Sequence, residues 1–426
     1  MHRTVAAFSK LVSSSSSRLA ALMTIFRAVT ATLRWLVIAL VIAVVAGTGS
    51  ALLLVTLDAA TRLREATPLF IWAMPAAGAV TVWAYARFGG RAAQGNGAIF
   101  AELATPSARL PLRMAPMILA GTAIAHLTGA SVGREGTAVQ MASPLADALT
   151  KVGSWTAHDR RVLLSAAMAG GFASVFGTPL AGMIFGLEVR RVGTVRYDAL
   201  LACLVAAVGA NAVTDAWGIH HATYAVGLVP SFSIGSAFGA AGSGVLFGIA
   251  AMVFVRLSHA MARAAGAVIP NAPLRAAAGG LAVLGVVGAL GTDRHLGLSV
   301  PLIHAAFAGP VATWDFAAKL LLTSVCLAAG FRGGEVTPLF AVGATLGNAI
   351  APLFGMPIPL VAAMGFVATF AGASNAPLAS IVAGIELFGT APASYLAIAC
   401  VVSYLCTGAS GMYPGQVVDQ PKHVLG

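Results

Sequence analysis

Two glutamates in glycine-rich turns are the residues best suited to chemistry in this sequence of 426 residues. Glu135 lies between Arg134 and Gly136, and Glu335 follows Gly334. Glycine lets the backbone turn sharply with uncovered amides, and a helix that begins there directs its positive dipole end toward an anion. The turn at Glu135 therefore indicates an anion site, which its carboxylate occupies when charged and vacates when protonated. The alternative for Glu135 is a local ion pair with Arg134 that fixes the turn.

The turn at Glu335 carries additional donors. Pro338 suits the first turn of a helix, so the amides of Glu335 and Val336 are free to face an anion. Thr337 adds a hydroxyl group. Two roles remain open for the Glu335 carboxylate, because it can relay protons or cap the helix.

Two further segments supply donors for a small anion. Asn96 lies between Gly95 and Gly97, a pattern that allows close backbone approach to a ligand but that also occurs in ordinary turns. Tyr413 offers a phenolic hydroxyl, although a tyrosine near the chain end also suits an interfacial aromatic belt. Together with the two glutamate turns, these groups supply N–H, amide and hydroxyl donors for a small anion. A movable carboxylate competes with the anion for these donors.

The composition identifies the solvent in which these residues must work. Apolar residues make up 58% of the chain and charged residues only 9%, whereas soluble domains carry about 25% charged residues. The mean hydropathy is +0.89. These values exclude a soluble enzyme, a disordered chain and a disulfide scaffold, and they predict an all-α polytopic membrane protein. A carboxylate at membrane depth is costly, so Glu135 should face a cavity.

The charge balance predicts orientation rather than a nucleic-acid partner. Lys and Arg number 25 against 14 Asp and Glu, and no acidic residue precedes Asp58. Such an excess marks cytoplasmic loops, although it can also attract anions to the surface. No basic patch of domain size is present, which excludes nucleic-acid binding.

The four cysteines lie in apolar stretches without CxxC spacing and are interpreted as core residues; they are Cys203, Cys326, Cys400 and Cys406.

Broken helices are predicted in the second half. Residues 35–57 are uncharged and long enough to span a hydrocarbon core of about 30 Å. Residues 336–385 are also uncharged, but prolines interrupt them at Pro338, Pro352, Pro357, Pro359 and Pro377. Because broken backbone at membrane depth is tolerated where it lines a cavity, this segment indicates a transport site.

Residues 1–34 are predicted to form a basic cytoplasmic segment ending in an interfacial helix; an organellar transit peptide is the alternative.

An internal repeat relates the two halves. The segment from Gly177 to Glu188 recurs from Asn375 to Glu386, 198 residues later, with a shared Pro-Leu-Ala motif followed by Gly-X-Glu. A glutamate turn precedes each copy. Matching interruptions in two halves are typical of repeat-built transporters, whose site lies between the repeats near the midplane. The predicted division is therefore residues 35–220 and 221–426.

These residues, in this order, resemble the CLC family of anion channels and proton-coupled antiporters from about residue 35 onward. The motifs that carry the resemblance are Gly133-Arg134-Glu135-Gly136 for GREGP, Gly95-Asn96-Gly97-Ala98 for GSGIP, and Gly334 to Pro338 for GxFxP. The resemblance implies a fold of two inverted repeats with many tilted and half-membrane helices. It also implies a homodimer with one pathway per subunit, whose interface helix is similar to Gly177–Glu188.

Three departures from the family pattern are similar to the bacterial fluoride/proton antiporter branch. Asn96 replaces the usual serine, and Glu335, Val336 and Thr337 replace the usual apolar and aromatic residues. Val189 occupies the position where chloride/proton antiporters keep an inner glutamate. The resemblance implies that Glu135 is the gating and proton-carrying residue.

The same resemblance implies roles for the remaining residues. The donors that line the anion pathway would be Asn96, Tyr413 and the Val336 backbone, with Glu335 and Thr337 contributing to coupling and fluoride preference. The implied function is fluoride export driven by proton entry across a bacterial inner membrane, with the N terminus cytoplasmic. Fluoride, protons, lipid and a second subunit are the expected partners. No cofactor, metal or regulatory domain after Gly426 is expected.

Two alternatives remain open. The first is a chloride channel or chloride/proton antiporter of the same family. The second is an intramembrane serine protease, because the residues ending at Ser410 and Gly411 fit a GxSG pattern. That chemistry needs a base on a later membrane helix, and only His423 follows, while His126 is interpreted as a buried structural residue. The sequence therefore favours a transporter over an enzyme.

Overall fold

The structure is a computed structural model that describes residues 2–408, 410–418 and 422, with side chains from residue 22 onward. Helices form nearly all of its regular structure. The α-helices are α1 (His2–Ala66), α2 (Met74–Ala84), α3 (Asn96–Ala104), α4 (Met114–Leu127), α5 (Glu135–Asp147), α6 (Ala157–Phe176), α7 (Pro179–Glu188), α8 (Leu200–Ala216), α9 (Ile234–Val268), α10 (Ala272–Leu290), α11 (Val300–Ala308), α12 (Asp315–Ala329), α13 (Val336–Ile350), α14 (Ile358–Ser374), α15 (Pro377–Phe388) and α16 (Ala393–Cys406).

Short segments connect these helices. The 3₁₀ segments are Pro68–Ala73, Gly90–Gln94, Ala148–Lys151, Tyr197–Ala199 and Ala351–Phe354, and Tyr85–Gly89 is a π-helical turn. Two strands, β1 (Arg191–Val192) and β2 (Val417–Val418), pair in parallel. Through this pairing the end of the described chain lies against the segment that follows α7.

The long apolar stretches form helices of unequal length. Within the described residues, six helical stretches are long and apolar enough to cross a membrane, and shorter apolar helices accompany them. Helix α1 continues from the basic N-terminal segment into the uncharged stretch without a break. The uncharged stretch 216–255 does not form one helix, because residues 217–233 separate α8 from α9.

The proline-rich stretch 336–385 is broken into α13, α14 and most of α15, as its prolines predict. Pro338, Pro359 and Pro377 all lie in the first turn of a helix, where a missing amide hydrogen leaves no bond unmade. Proline therefore starts these helices instead of kinking them, and the chain turns between short helices.

Pairs of glycines four residues apart let these helices approach closely. A Cβ at Gly343 or Gly347 of α13 would collide with the backbone of α14 at Gly365 or Val361. Gly182 of α7 makes the same close approach to α6. Lipid offers no hydrophobic driving force between helices, so close packing of small residues stabilises their association.

Helices α7 and α15 pack against each other and exchange carboxylate caps. The Glu386 carboxylate of α15 accepts hydrogen bonds from Leu180 N at 2.9 Å and Ala181 N at 2.8 Å, at the start of α7. Glu188 of α7 accepts the equivalent bonds from the first turn of α15, at 3.1 and 2.9 Å. A carboxylate at a helix N-terminus is favourable. Each glutamate of the sequence repeat therefore caps the N-terminus of the other repeated helix, and the two pairs of bonds join α7 to α15.

Candidate anion pathway

Three helices begin at one place between the two halves of the molecule. Asn96 is the first residue of α3, Glu135 the first of α5 and Val336 the first of α13. An antiparallel bridge joins the turns of α5 and α13, with Gly133 N to Gly334 O at 2.5 Å and Gly334 N to Gly133 O at 2.7 Å. Residues 201 positions apart in the chain are thus held backbone to backbone, and the N-termini of the helices that follow them converge.

The Glu135 carboxylate lies at this convergence and is 1% exposed. Its Oε1 accepts a bond from Thr337 Oγ1 at 2.5 Å, and its Oε2 accepts bonds from Thr337 N at 3.1 Å and Arg134 N at 3.2 Å. The Arg134 guanidinium is 3.7 Å away at Nε. The local ion pair and the anion-binding arrangement therefore coexist, and the shorter contacts come from the opposite half.

Cavities lie on both sides of Glu135. One, here called the large cavity, has a volume of about 710 Å³ and is lined by Arg134, Glu135 and Thr337 together with α1 and the loop before α11. The other, the small cavity, has a volume of about 10 Å³, close to what one water-sized species needs. The carboxylate contributes to the walls of both cavities, so it occupies the boundary between them.

The small cavity collects the predicted donors of the first half and of the C-terminal segment. Its polar lining includes Asn96, Glu135 and Tyr413, with Val336 and Gly136 beside them. A Cβ at Gly136 would lie 3.3 Å from Asn96 Nδ2, a tight contact, so the glycine leaves room for the amide beside this turn.

Glycines at the start of α3 allow this geometry. Gly95 has φ of +56°, a conformation that favours glycine, and the Gln140 side chain lies against it. Gly97 lies in the first turn of α3 and approaches Pro414, the residue after Tyr413. Asn96 Oδ1 is enclosed without a hydrogen-bond partner among the described residues. The Asn-Gly pattern therefore belongs to a helix start at the cavity, and not to a surface turn.

Tyr413 lies in the interior and not in an interfacial belt. Its ring stacks on Phe100 with 5.3 Å between centroids and meets Phe185 edge-on at 6.0 Å. Only 6% of the residue is exposed.

Phenylalanines contribute to the apolar walls of both cavities, a feature that sequence reasoning missed. Phe100, Phe172 and Phe185 line the small cavity, and Phe340 and Phe366 line the large one. Ring centroids are 4.4 Å apart for Phe172–Phe185 and 4.0 Å apart for Phe340–Phe366. Ring edges are electropositive, so an aromatic wall suits an anion better than an aliphatic one. The phenylalanines have no common spacing in the chain, which left no signal for their assembly.

The second glutamate has a different environment. Glu335 immediately precedes α13 and is half-buried, and its Oε2 is enclosed without a partner among the described residues. It lies outside the described linings of both cavities, whereas Val336 lines the small cavity and Thr337 the large one. The turn of α13 thus sends successive residues in different directions.

Other sequence expectations have clear positions. Val189 is buried, and its carbonyl accepts a bond from Gln416 Nε2 at 2.8 Å. Ser410 is exposed, whereas His126 is buried and its Nδ1 bonds to the Thr122 carbonyl in its own helix. His423 lies outside the described residues. Within residues 2–408, 410–418 and 422, no group of three or more metal-ligating residues assembles.

A membrane-embedded helical chain whose two halves meet at a carboxylate between two cavities defines a channel or transporter of ions. The family model described as "Voltage gated chloride channel" matches residues 77–408. The protein therefore belongs to this family, the CLC family. The sequence-based fold prediction is confirmed.

Relatives within the family have names that mention both halides. A "Chloride/fluoride channel protein" of Pseudomonas syringae pv. tomato is 48% identical over 396 residues, which cover 92% of this chain and 88% of that protein. A crystal structure of a CLC-type fluoride/proton antiporter matches with a TM-score of 0.87 and 33% identity, over 91% of this chain and 98% of that one. The H(+)/Cl(-) exchange transporter ClcA of Vibrio campbellii is 28% identical over 65% of this chain and 62% of that protein.

Proposed function

We propose that the protein is a fluoride/proton antiporter that exports fluoride in exchange for inward protons. The observation that carries this proposal is the Glu135 carboxylate, which is held by Thr337 Oγ1 at 2.5 Å and Thr337 N at 3.1 Å between the two cavities. These donors suit any small anion, and the carboxylate is the anion that is present. Fluoride and the carboxylate thus compete for one set of donors.

Protonation couples the two ions. A protonated Glu135 has lost the charge that the convergent helix N-termini stabilise, so it leaves the donors and exposes them. Fluoride then binds to the amide and hydroxyl of Thr337 and to the amide of Arg134. When the side chain loses its proton it returns as a carboxylate and displaces fluoride. The same donors hold either fluoride or the Glu135 carboxylate. The cycle therefore links fluoride movement in one direction to proton movement in the other.

The donor set supports a preference for fluoride over chloride. Fluoride is small and strongly hydrated, so a site must replace its water with short, charge-directed hydrogen bonds. The small cavity has a volume of about 10 Å³ and is lined by the polar side chains of Asn96 and Tyr413. The CLC-type fluoride/proton antiporter that matches over most of this chain supports the same assignment. Glu335 adds a second carboxylate directly before Val336, and we assign it a role in proton coupling.

Orientation and assembly follow from the same proposal. The basic N-terminal segment and the arginines after α7 favour a cytoplasmic N terminus in a bacterial inner membrane. Export is useful because fluoride enters cells as neutral HF and is trapped as the anion at higher internal pH, so the protein would confer fluoride resistance. Leu180 of α7 and Leu378 of α15 are 47% and 48% exposed, which supports a homodimer through these helices. We keep the division into repeats at 35–220 and 221–426.

The test is ion efflux from liposomes that contain the purified protein and either fluoride or chloride. External anion and pH are recorded together as the internal anion leaves. Fluoride efflux with a fixed ratio of protons taken up supports the proposal. Chloride efflux at an equal rate, or fluoride efflux without proton movement, would instead favour a chloride transporter or a channel of the same family.

A further inference from the structure

A lysine is completely enclosed behind the glutamate turn. Lys319 of α12 is 0% exposed, and its Nζ donates hydrogen bonds to Ser131 Oγ at 2.8 Å, the His295 carbonyl at 3.0 Å and the Gly297 carbonyl at 2.7 Å. Within the described part of the chain, no carboxylate lies within ion-pair distance of this nitrogen. All three ammonium donors are thus used on neutral oxygens.

Such an arrangement is expensive for a membrane protein. Burying an ammonium group without an opposite charge loses hydration that neutral oxygens replace only in part. An apolar side chain of similar length would fill the same space without that cost. The three bonds of Lys319 therefore indicate a role other than filling the core.

Three side chains on one face of α12 contact a single residue of the first half, Ser131. Lys319 and Thr323 both bond to Ser131 Oγ, at 2.8 and 2.9 Å, and Cys326 Sγ accepts a bond from Ser131 N at 3.3 Å. Spacings of four and three residues place these side chains along one helix face. Ser131 precedes the Gly133–Gly334 bridge by two residues and Glu135 by four. The contacts thus hold the segment that leads into the glutamate turn.

Lys319 also holds the opposite wall of the large cavity. His295 and Gly297 belong to the loop between α10 and α11, and their neighbours Leu296 and Leu298 line that cavity. Gly297 N donates a bond to the Gly129 carbonyl at 3.2 Å, so this loop and the segment before Glu135 touch directly. Lys319 lies beneath their junction and bonds to both.

We propose that Lys319 is a positioning residue that keeps the segment 129–134 fixed while the Glu135 side chain moves. A fixed turn confines the response to protonation to one side chain, so fluoride and the carboxylate exchange at one position. A loose turn would let fluoride pass while the carboxylate remains displaced, and the two ions would become uncoupled. This inference rests on the proposed function, because it concerns how tightly protons are linked to fluoride.

Lys319→Met is the central variant, because methionine keeps the length of the chain and removes all three bonds. We expect the number of protons moved per fluoride to fall by about threefold or more while fluoride efflux continues. Hydrogen exchange of the amides at 131–135 should be about tenfold faster, as expected for the loss of charged hydrogen bonds. Lys151→Met, which changes an exposed lysine, is the matched control.

A double-mutant cycle tests whether Lys319 acts through Ser131. Ser131→Ala and Lys319→Met should each lower the proton-to-fluoride ratio, and the double variant should be hardly worse than Lys319→Met alone. If Lys319→Met does not fold, Thr323→Val replaces it, because this variant removes one of the contacts to Ser131. We expect a smaller change in the proton-to-fluoride ratio and in the amide exchange at 131–135.

Two results would separate this inference from the proposed function. A wild-type ratio and wild-type amide exchange in Lys319→Met would overturn the positioning role. A wild-type protein that moves fluoride without protons would overturn the proposed antiport and with it the coupling role of Lys319. The amide-exchange comparison would then still decide whether Lys319 holds the turn.

Discussion

The turns at Glu135 and Glu335 are built alike and used differently. Each follows a glycine of the same antiparallel bridge and leads into a helix whose N-terminus faces the centre. The Glu135 carboxylate receives three hydrogen bonds and contributes to the walls of both cavities. The Glu335 carboxylate has an enclosed oxygen without a partner among the described residues and lies outside both described linings.

This difference separates the framework of the site from its chemistry. The bridge and the two helix N-termini come from both repeats equally. The carboxylate that occupies the donors comes from the first repeat, whereas the hydroxyl and one of the amides come from Thr337 in the second. Both halves thus contribute backbone to a shared frame, and a few side chains make the two turns unequal.

The largest effect is expected from Glu135→Gln, which keeps the shape of the side chain but cannot release a proton. Proton uptake during fluoride efflux should fall by about a hundredfold or more, since the residue acts as the proton carrier. Efflux into a weakly buffered medium with a pH electrode measures it. Glu65→Gln, which alters another glutamate on the wall of the large cavity, is the control and should keep its coupling. Normal proton uptake in Glu135→Gln would remove this residue from the mechanism.

Glu335→Gln examines the other side of the comparison. An ionisable residue inside a membrane protein is by default functional, and an enclosed oxygen without a partner suits a group that exchanges protons. We expect proton uptake to fall by about tenfold, less than for Glu135→Gln, in the same assay. An unchanged proton-to-fluoride ratio would show that Glu335 only caps α13 and that the proton route depends on Glu135 alone.

Thr337→Val removes the hydroxyl that joins the two turns and keeps the size of the side chain. A hydrogen bond to a charged group contributes about 1.5 kcal/mol at the lower end, so the fluoride affinity should fall by at least about tenfold. Isothermal titration of detergent-solubilised protein measures the affinity. Thr345→Val is the control, because the Thr345 hydroxyl bonds to the Ala341 carbonyl within α13. Equal fluoride affinity in wild type and Thr337→Val would mean that the anion binds elsewhere.

The smallest effect is expected from Asn96→Ser, which restores the residue usual in the family. The change shortens one donor at the small cavity and leaves both glutamate turns intact. The ratio of fluoride to chloride flux should fall by about tenfold or less, while the number of protons per anion stays the same. Paired efflux measurements with the two halides give the ratio. If the selectivity did not change, the preference for fluoride would depend on the residues of the Glu335 turn and not on Asn96.

Much of this architecture was accessible from the sequence, because it depends on local chemistry. Composition alone identifies a membrane solvent, since a chain with 9% charged residues cannot cover itself with polar groups. The glycines around Glu135 predict one helix start, and Gly334 with Pro338 predicts another; the structure begins α5 at Glu135 and α13 at Val336. The repeated motif predicted that the two halves would be related.

Only the tertiary structure decided which distant groups meet. No local pattern indicates that Glu188 and Glu386 cap each other's helices, or that phenylalanines from three helices, α3, α6 and α7, share a wall with Asn96 and Tyr413. Lys319 looks like an ordinary charged residue in the sequence, yet it lies fully enclosed against Ser131. Helix starts are encoded by a few neighbouring residues, whereas these contacts depend on how closely small residues let whole helices pack.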